Sequence, residues 1–67
     1  MSVFGDRLKE ARLERGFTAK GFSQRAGIAH CQLSHYEHGR RYPSVINLIA
    51  MVRILDCSLD WLLGLED

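Results

Sequence analysis

Residues 18–39 read TAKGFSQRAGIAHCQLSHYEHG, and this stretch decides the fold. Thr18 is a good N-cap, and apolar Phe22 and Ala26 follow at helical spacing until Gly27 interrupts the pattern. A second short pattern runs from about His30 to His38, with Leu33 and Tyr36 inward, and stops at Gly39. Ile28, between them, is also apolar and inward. A helix, a tight glycine turn and a second helix form a shape that can lay its second helix in the major groove of a duplex. A basic loop, Gly39-Arg40-Arg41-Tyr42, follows directly.

Working outward, the rest of the chain also reads as helix. Phe4, Leu8 and Ala11 place helix 1 at about Val3 to Arg15, with Ser2 as N-cap and Gly16 as its stop. Pro43 and Ser44 open helix 4, which runs to about Leu55 with Val45, Leu48, Met51, Val52 and Leu55 as its inward stripe. Ser58 caps helix 5, which carries Asp60 in its first turn and ends near Gly64. No segment alternates as a strand would. The expected fold is all-α, a compact five-helix bundle, with residues 1–67 as one domain and the two-helix unit at about 18–39.

Composition sets the function classes. An apolar share of 46% suits a globular chain and argues against disorder. No run of about 18 apolar residues could span a membrane, and residues 1–17 are too charged for a signal peptide. The two cysteines, Cys31 and Cys57, lack paired metal spacing and read as reduced thiols in a cytoplasmic protein. The net charge is only +1, which by itself speaks against nucleic acid as a partner. Its distribution speaks for it. Residues 18–42 carry Lys20, Arg25, Arg40 and Arg41 against Glu37, together with all three histidines, whereas residues 43–67 carry Arg53 against Asp56, Asp60, Glu66 and Asp67. A basic half for phosphates and an acidic half turned away from them is the pattern expected of a DNA binder.

The stretches FGDRLKEARLERGF (4–17), the two-helix unit, HYEHGRRYPS (35–44) and CSLDWLLG (57–64) occur in the order and spacing of the Cro and phage-repressor, or XRE, family. The chain resembles the helix-turn-helix DNA-binding domain of that family over essentially its whole length. The resemblance implies a lambda-repressor-like fold and a sequence-specific transcriptional regulator, most often a repressor, that binds double-stranded DNA and blocks RNA polymerase by occupying an operator. By position, His30, Cys31, Gln32 and His35 would read bases, with Ser34 close by. Gln can pair with adenine N6 and N7, His can donate to a guanine acceptor, and Cys31 can touch a thymine methyl. Thr18, Arg40, Arg41, Tyr42 and Ser44 would hold phosphates, with Lys20 and His38 as further candidates. Arg12 and Glu37 match family positions that form a partly buried ion pair between helices 1 and 3.

The chain also departs from the family pattern. Ala19 stands where many members have Gln, Ala29 where Ser or Thr caps the reading helix, Gly21 lies inside helix 2, and Ser23 replaces a small apolar residue. These changes predict a soft helix-turn-helix. Helix 4 carries a second apolar face at Ile46, Ala50 and Ile54, and helix 5 and the tail add Leu59, Trp61, Leu62, Leu63 and Leu65. This excess predicts a two-fold homodimer through helix 5 and the end of helix 4, with Ile54, Leu59, Trp61, Leu63 and Leu65 at the interface. Two reading helices would then sit about 34 Å apart, matching a near-palindromic operator.

Three rival readings remain. An enzyme would need a nucleophile facing a base, but adjacent Ser34 and His35 cannot face each other on a helix. A metal site could use Cys31, His35 and His38 at i, i+4 and i+7, yet no fourth ligand is evident. Neither a metal nor another cofactor is expected. An antitoxin acting mainly through a toxin partner would share the fold.

Overall fold

The computed structural model describes residues 3–65. Five helices follow one another: α1 (Val3–Glu14), α2 (Ala19–Ala26), α3 (His30–Glu37), α4 (Val45–Leu55) and α5 (Leu59–Leu62). The expected cap at Ser2 lies outside the described residues.

Short polar side chains start three of these helices. The Thr18 hydroxyl accepts from the Gly21 N–H at 3.0 Å, Ser44 from Asn47 at 3.2 Å and Ser58 from Trp61 at 3.3 Å. Each bond satisfies one of the N–H groups that a helix start leaves without an internal partner. Gly27 ends α2 at φ 73°, and the Ile28 N–H then returns to the Ser23 carbonyl at 3.0 Å. That left-handed step turns the chain from α2 into α3. Asp56 does the same for α4 at φ 50°, a conformation in which Asp is among the better tolerated non-glycine residues.

One core unites all five helices. It contains Phe4, Leu8 and Ala11 from α1, Phe22 from α2, and Leu33 and Tyr36 from α3, with Ile28 from the turn. Met51 and Leu55 come from α4, and Leu62 from α5. Burying such side chains is the main favourable term in a domain of this size. Val45 departs from the inward stripe expected of helix 4, because it is 71% exposed. The first turn of α4 projects past the core, and its buried face begins at the half-buried Leu48.

The departures that predicted softness have local compensations. Ser23 is buried, and its hydroxyl donates to the Lys20 carbonyl at 2.9 Å, so no polar atom is stranded. A Cβ at Gly21 would lie only 3.1 Å from the Thr18 hydroxyl oxygen, so the glycine leaves room for the cap.

Two arginines of α1 tie it to distant parts of the chain. Arg12 is buried, and its Nε and Nη2 meet the two Glu37 carboxylate oxygens at 2.7 and 3.2 Å. Its Nη1 donates to the Phe17 carbonyl at 3.0 Å. One guanidinium thus joins α1, the α1–α2 turn and the end of α3. Arg7 donates through Nη1 to the Trp61 carbonyl and lies over the indole, 5.1 Å from its centroid, which pins α5 to α1. Among the described residues no helix is long and apolar enough to cross a membrane.

Candidate nucleic-acid interface

The side chains expected to read bases all lie on α3 or at its start. His30, Cys31 and Gln32 are exposed in its first turn, whereas Ser34 and His35 are half-buried. Leu33 and Tyr36 anchor the opposite face in the core. The bidentate Arg12–Glu37 pair fixes the last turn against α1, and Asn47 Nδ2 approaches the Tyr36 hydroxyl at 3.5 Å from α4. The candidate face is therefore carried on a helix braced from behind and at its end, which would hold a recognition element in position.

Alanine cannot cap α3 with its own side chain. Instead Gln32, three residues on, turns back, and its Oε1 accepts from the Ala29 N–H at 3.1 Å. This is half of a capping box. The three-residue spacing of Ala29 and Gln32 carries this signal in the sequence, and it makes Gln32 a cap as well as a candidate for base contact.

The histidines are equally constrained. His38 Nδ1 lies 2.7 Å from the Ser34 carbonyl and 3.5 Å from the Ser34 hydroxyl. A carbonyl can only accept, so this nitrogen carries the proton. His35 Nδ1 is buried with no hydrogen-bond partner. Although Cys31, His35 and His38 share a helical face by register, no group of three or more His, Cys, Asp or Glu side chains has metal-binding geometry among the described residues.

The phosphate candidates lie at helix starts and on the loop after α3. Lys20, Arg40, Arg41 and Tyr42 are exposed, and the Tyr42 ring packs at a tilt on Phe4 with centroids 5.7 Å apart. The Thr18 and Ser44 hydroxyls are used as caps, so what α2 and α4 offer a phosphate is the remaining N–H groups of their first turns.

At the other end, Leu59 and Leu65 are exposed, whereas Ile54, Trp61 and Leu63 are partly buried against the core. Val45, Ile46 and Ile49 add exposed apolar surface on the first two turns of α4. A cleft of about 210 Å³ opens beside Ala11, Arg15, Leu55, Cys57 and Trp61. Burial there pushes the Cys57 thiol up from its ordinary pKa, with Arg15 opposing and Asp56 adding to the effect. Cys31 is a free, exposed thiol on α3.

This architecture, with a braced second helix and a basic loop behind it, defines a class. A family model described as helix-turn-helix matches residues 8–62. The chain belongs to this family, the Cro and phage-repressor (XRE) type of helix-turn-helix domain found in transcriptional regulators. It is 36% identical over 63 residues to the HTH-type transcriptional regulator ImmR of Bacillus subtilis, covering 94% of this chain and 50% of ImmR. Its fold superposes with a TM-score of 0.83 on SinR of Bacillus subtilis solved in complex with DNA, at 33% identity, covering 90% of this chain and 97% of that one. The P22 c2 repressor, solved with a synthetic operator, shares the fold with a TM-score of 0.89 at 24% identity, covering 98% of this chain and 100% of that one. The chain spans about half the length of relatives such as ImmR.

Proposed function

We propose that this domain binds double-stranded DNA sequence-specifically, as a repressor occupying a near-palindromic operator. The observation that carries the reading is α3 itself. Its inner face is locked by Leu33, Tyr36 and the Arg12–Glu37 pair, while His30, Cys31 and Gln32 in its first turn are exposed. The SinR and P22 c2 relatives, solved on DNA, support this reading. His30, Cys31, Gln32, Ser34 and His35 face the bases. Lys20, Arg40, Arg41 and Tyr42, with the first-turn N–H groups that follow the Thr18 and Ser44 caps, hold phosphates on either side. The neutral His38 ring, with its Nδ1 proton on the Ser34 carbonyl, keeps only an acceptor outward and is not among them.

Arg40 and Arg41 provide the test. Replacing both by alanine should weaken binding to every duplex alike and make the fall of log affinity with log salt shallower by about 2 per chain, about 4 for a bound homodimer. A changed sequence preference with an unchanged salt slope would overturn the division of labour between helix and loop.

The operator symmetry rests on a homodimer. Exposed Leu59 and Leu65, with Ile54, Trp61 and Leu63 half-covered beside them, supply an apolar surface at α5 and the end of α4. Sedimentation equilibrium at high micromolar concentration should show a dimer, and replacing Leu59 and Leu65 by Ser should shift it to monomer. A strictly monomeric wild-type chain would remove this part of the proposal.

A further inference from the structure

If α3 is the reading helix, its hydrogen-bonding polarity decides which bases it selects. A glutamine pairs with adenine through both ends of its amide: Oε1 accepts from N6–H, and Nε2 donates to N7. In this chain one lone pair of Oε1 is already engaged. It accepts from the Ala29 N–H at 3.1 Å because Ala29, at the N-cap of α3, has no side-chain acceptor of its own. The atom in that contact must be oxygen, since a backbone N–H can bond only to an acceptor. Swinging the amide outward would leave the Ala29 N–H unpaired in an interface that excludes water, which is costly. Gln32 therefore offers its Nε2 donors outward.

His35 points the same way. Its Nδ1 is buried with neither an acceptor nor a donor beside it, so that nitrogen is unpaired in either tautomer. With no local bond to favour Nδ1–H, the ring takes the Nε2–H form that a neutral imidazole side chain intrinsically prefers, which makes Nε2 a donor. His38 has the opposite arrangement, with its proton on Nδ1 facing the Ser34 carbonyl.

We propose that the reading edge of α3 is a donor edge, made by Gln32 Nε2–H and His35 Nε2–H, and that it selects bases with acceptors in the major groove. Guanine is the best match because both N7 and O6 accept, and thymine, with O4, comes second. Adenine offers this edge N7 alone beside an amino donor, and cytosine offers only an amino donor, so both are disfavoured. The usual pairing of glutamine with adenine would need the second lone pair of an oxygen already turned back to the Ala29 N–H, so the capping role disfavours it. This inference rests on the proposed base-reading role of α3.

Two measurements test it. The first is selection of bound duplexes from a random pool, using the wild-type chain and Gln32→Glu. The carboxylate can keep the bond to the Ala29 N–H, and an acid suits the first turn of a helix, so the variant should fold at least as stably. It lacks the amide donors. The wild type should enrich guanine at the position Gln32 governs, by roughly 5- to 100-fold over adenine. Gln32→Glu should lose that preference while its other positions stay unchanged. Adenine or cytosine enriched by the wild type and released by Gln32→Glu would overturn the donor edge while leaving base reading intact. Enrichment of no sequence by the wild type would instead sink the base-reading role itself. The second measurement needs no DNA. Nitrogen-15 NMR of the neutral side chain should show His35 protonated at Nε2 and His38 at Nδ1. A proton on His35 Nδ1 would remove that residue from the donor edge.

Discussion

Replacing Arg12 by alanine should lower the free energy of unfolding by roughly 3–5 kcal/mol. The guanidinium is buried, and it bonds outside α1 to two oxygens of Glu37 and to the carbonyl of Phe17. Truncation would strand the Glu37 carboxylate, whose side chain is itself only 9% exposed, and leave the Phe17 carbonyl without this donor. Native domains hold about 0.05–0.15 kcal/mol per residue, so such a loss is comparable to the whole stability of a chain this short. The variant should be largely unfolded, or close to it, in urea titrations followed by circular dichroism.

A paired replacement separates a stranded charge from a lost attraction. Arg12→Met together with Glu37→Leu removes both charges and keeps apolar bulk, so it should recover most of the stability. It should nonetheless bind DNA less well if the pair's task is to hold the end of α3 in register. A loss below about 1 kcal/mol for Arg12→Ala alone would make the pair no stronger than a solvent-exposed one and would contradict this account.

Gly5→Ala is expected to destabilise the domain by about 2 kcal/mol, against the rule for helix interiors. Propensity alone predicts a gain of up to about 1 kcal/mol, because glycine is the poorer helix former. The packing predicts the reverse. A Cβ at Gly5 would lie 2.5 Å from the Glu37 carbonyl oxygen and 2.8 Å from that of Tyr36. Both neighbours are backbone and cannot rotate away, so α1 would have to separate from the end of α3. Overpacking of this kind costs typically 1–3 kcal/mol and occasionally more. The separation would also stretch the Arg12–Glu37 bonds, because they bridge the same two helices. A raised melting temperature for Gly5→Ala would show that the close approach is not required.

The bounds of the helices could be read from the chain because their signals are local. Thr18, Ser44 and Ser58 cap the helices they precede, and Gly27 turns where the apolar pattern breaks. The inward face of α3 followed from the spacing of Leu33 and Tyr36. Gly5 inside α1 is a weaker local signal, since a glycine in a helical pattern shows only that something offsets its cost and not which segment lies against it. Val45 was misplaced for a different reason. Its spacing fits the stripe of α4, but periodicity gives a direction around the helix and not how far the core extends along it.

What the amino-acid order determined by itself was therefore the set of helices, the caps, the turn at Gly27 and the face of α3 left polar. These depend on backbone conformation and on neighbours within a few residues. Tertiary structure alone decided that Gly5 must lack a side chain, that α4 outruns the core at Val45 and that His35 buries one ring nitrogen without a partner. Such facts depend on distances between segments far apart in the chain, and no residue type records those distances.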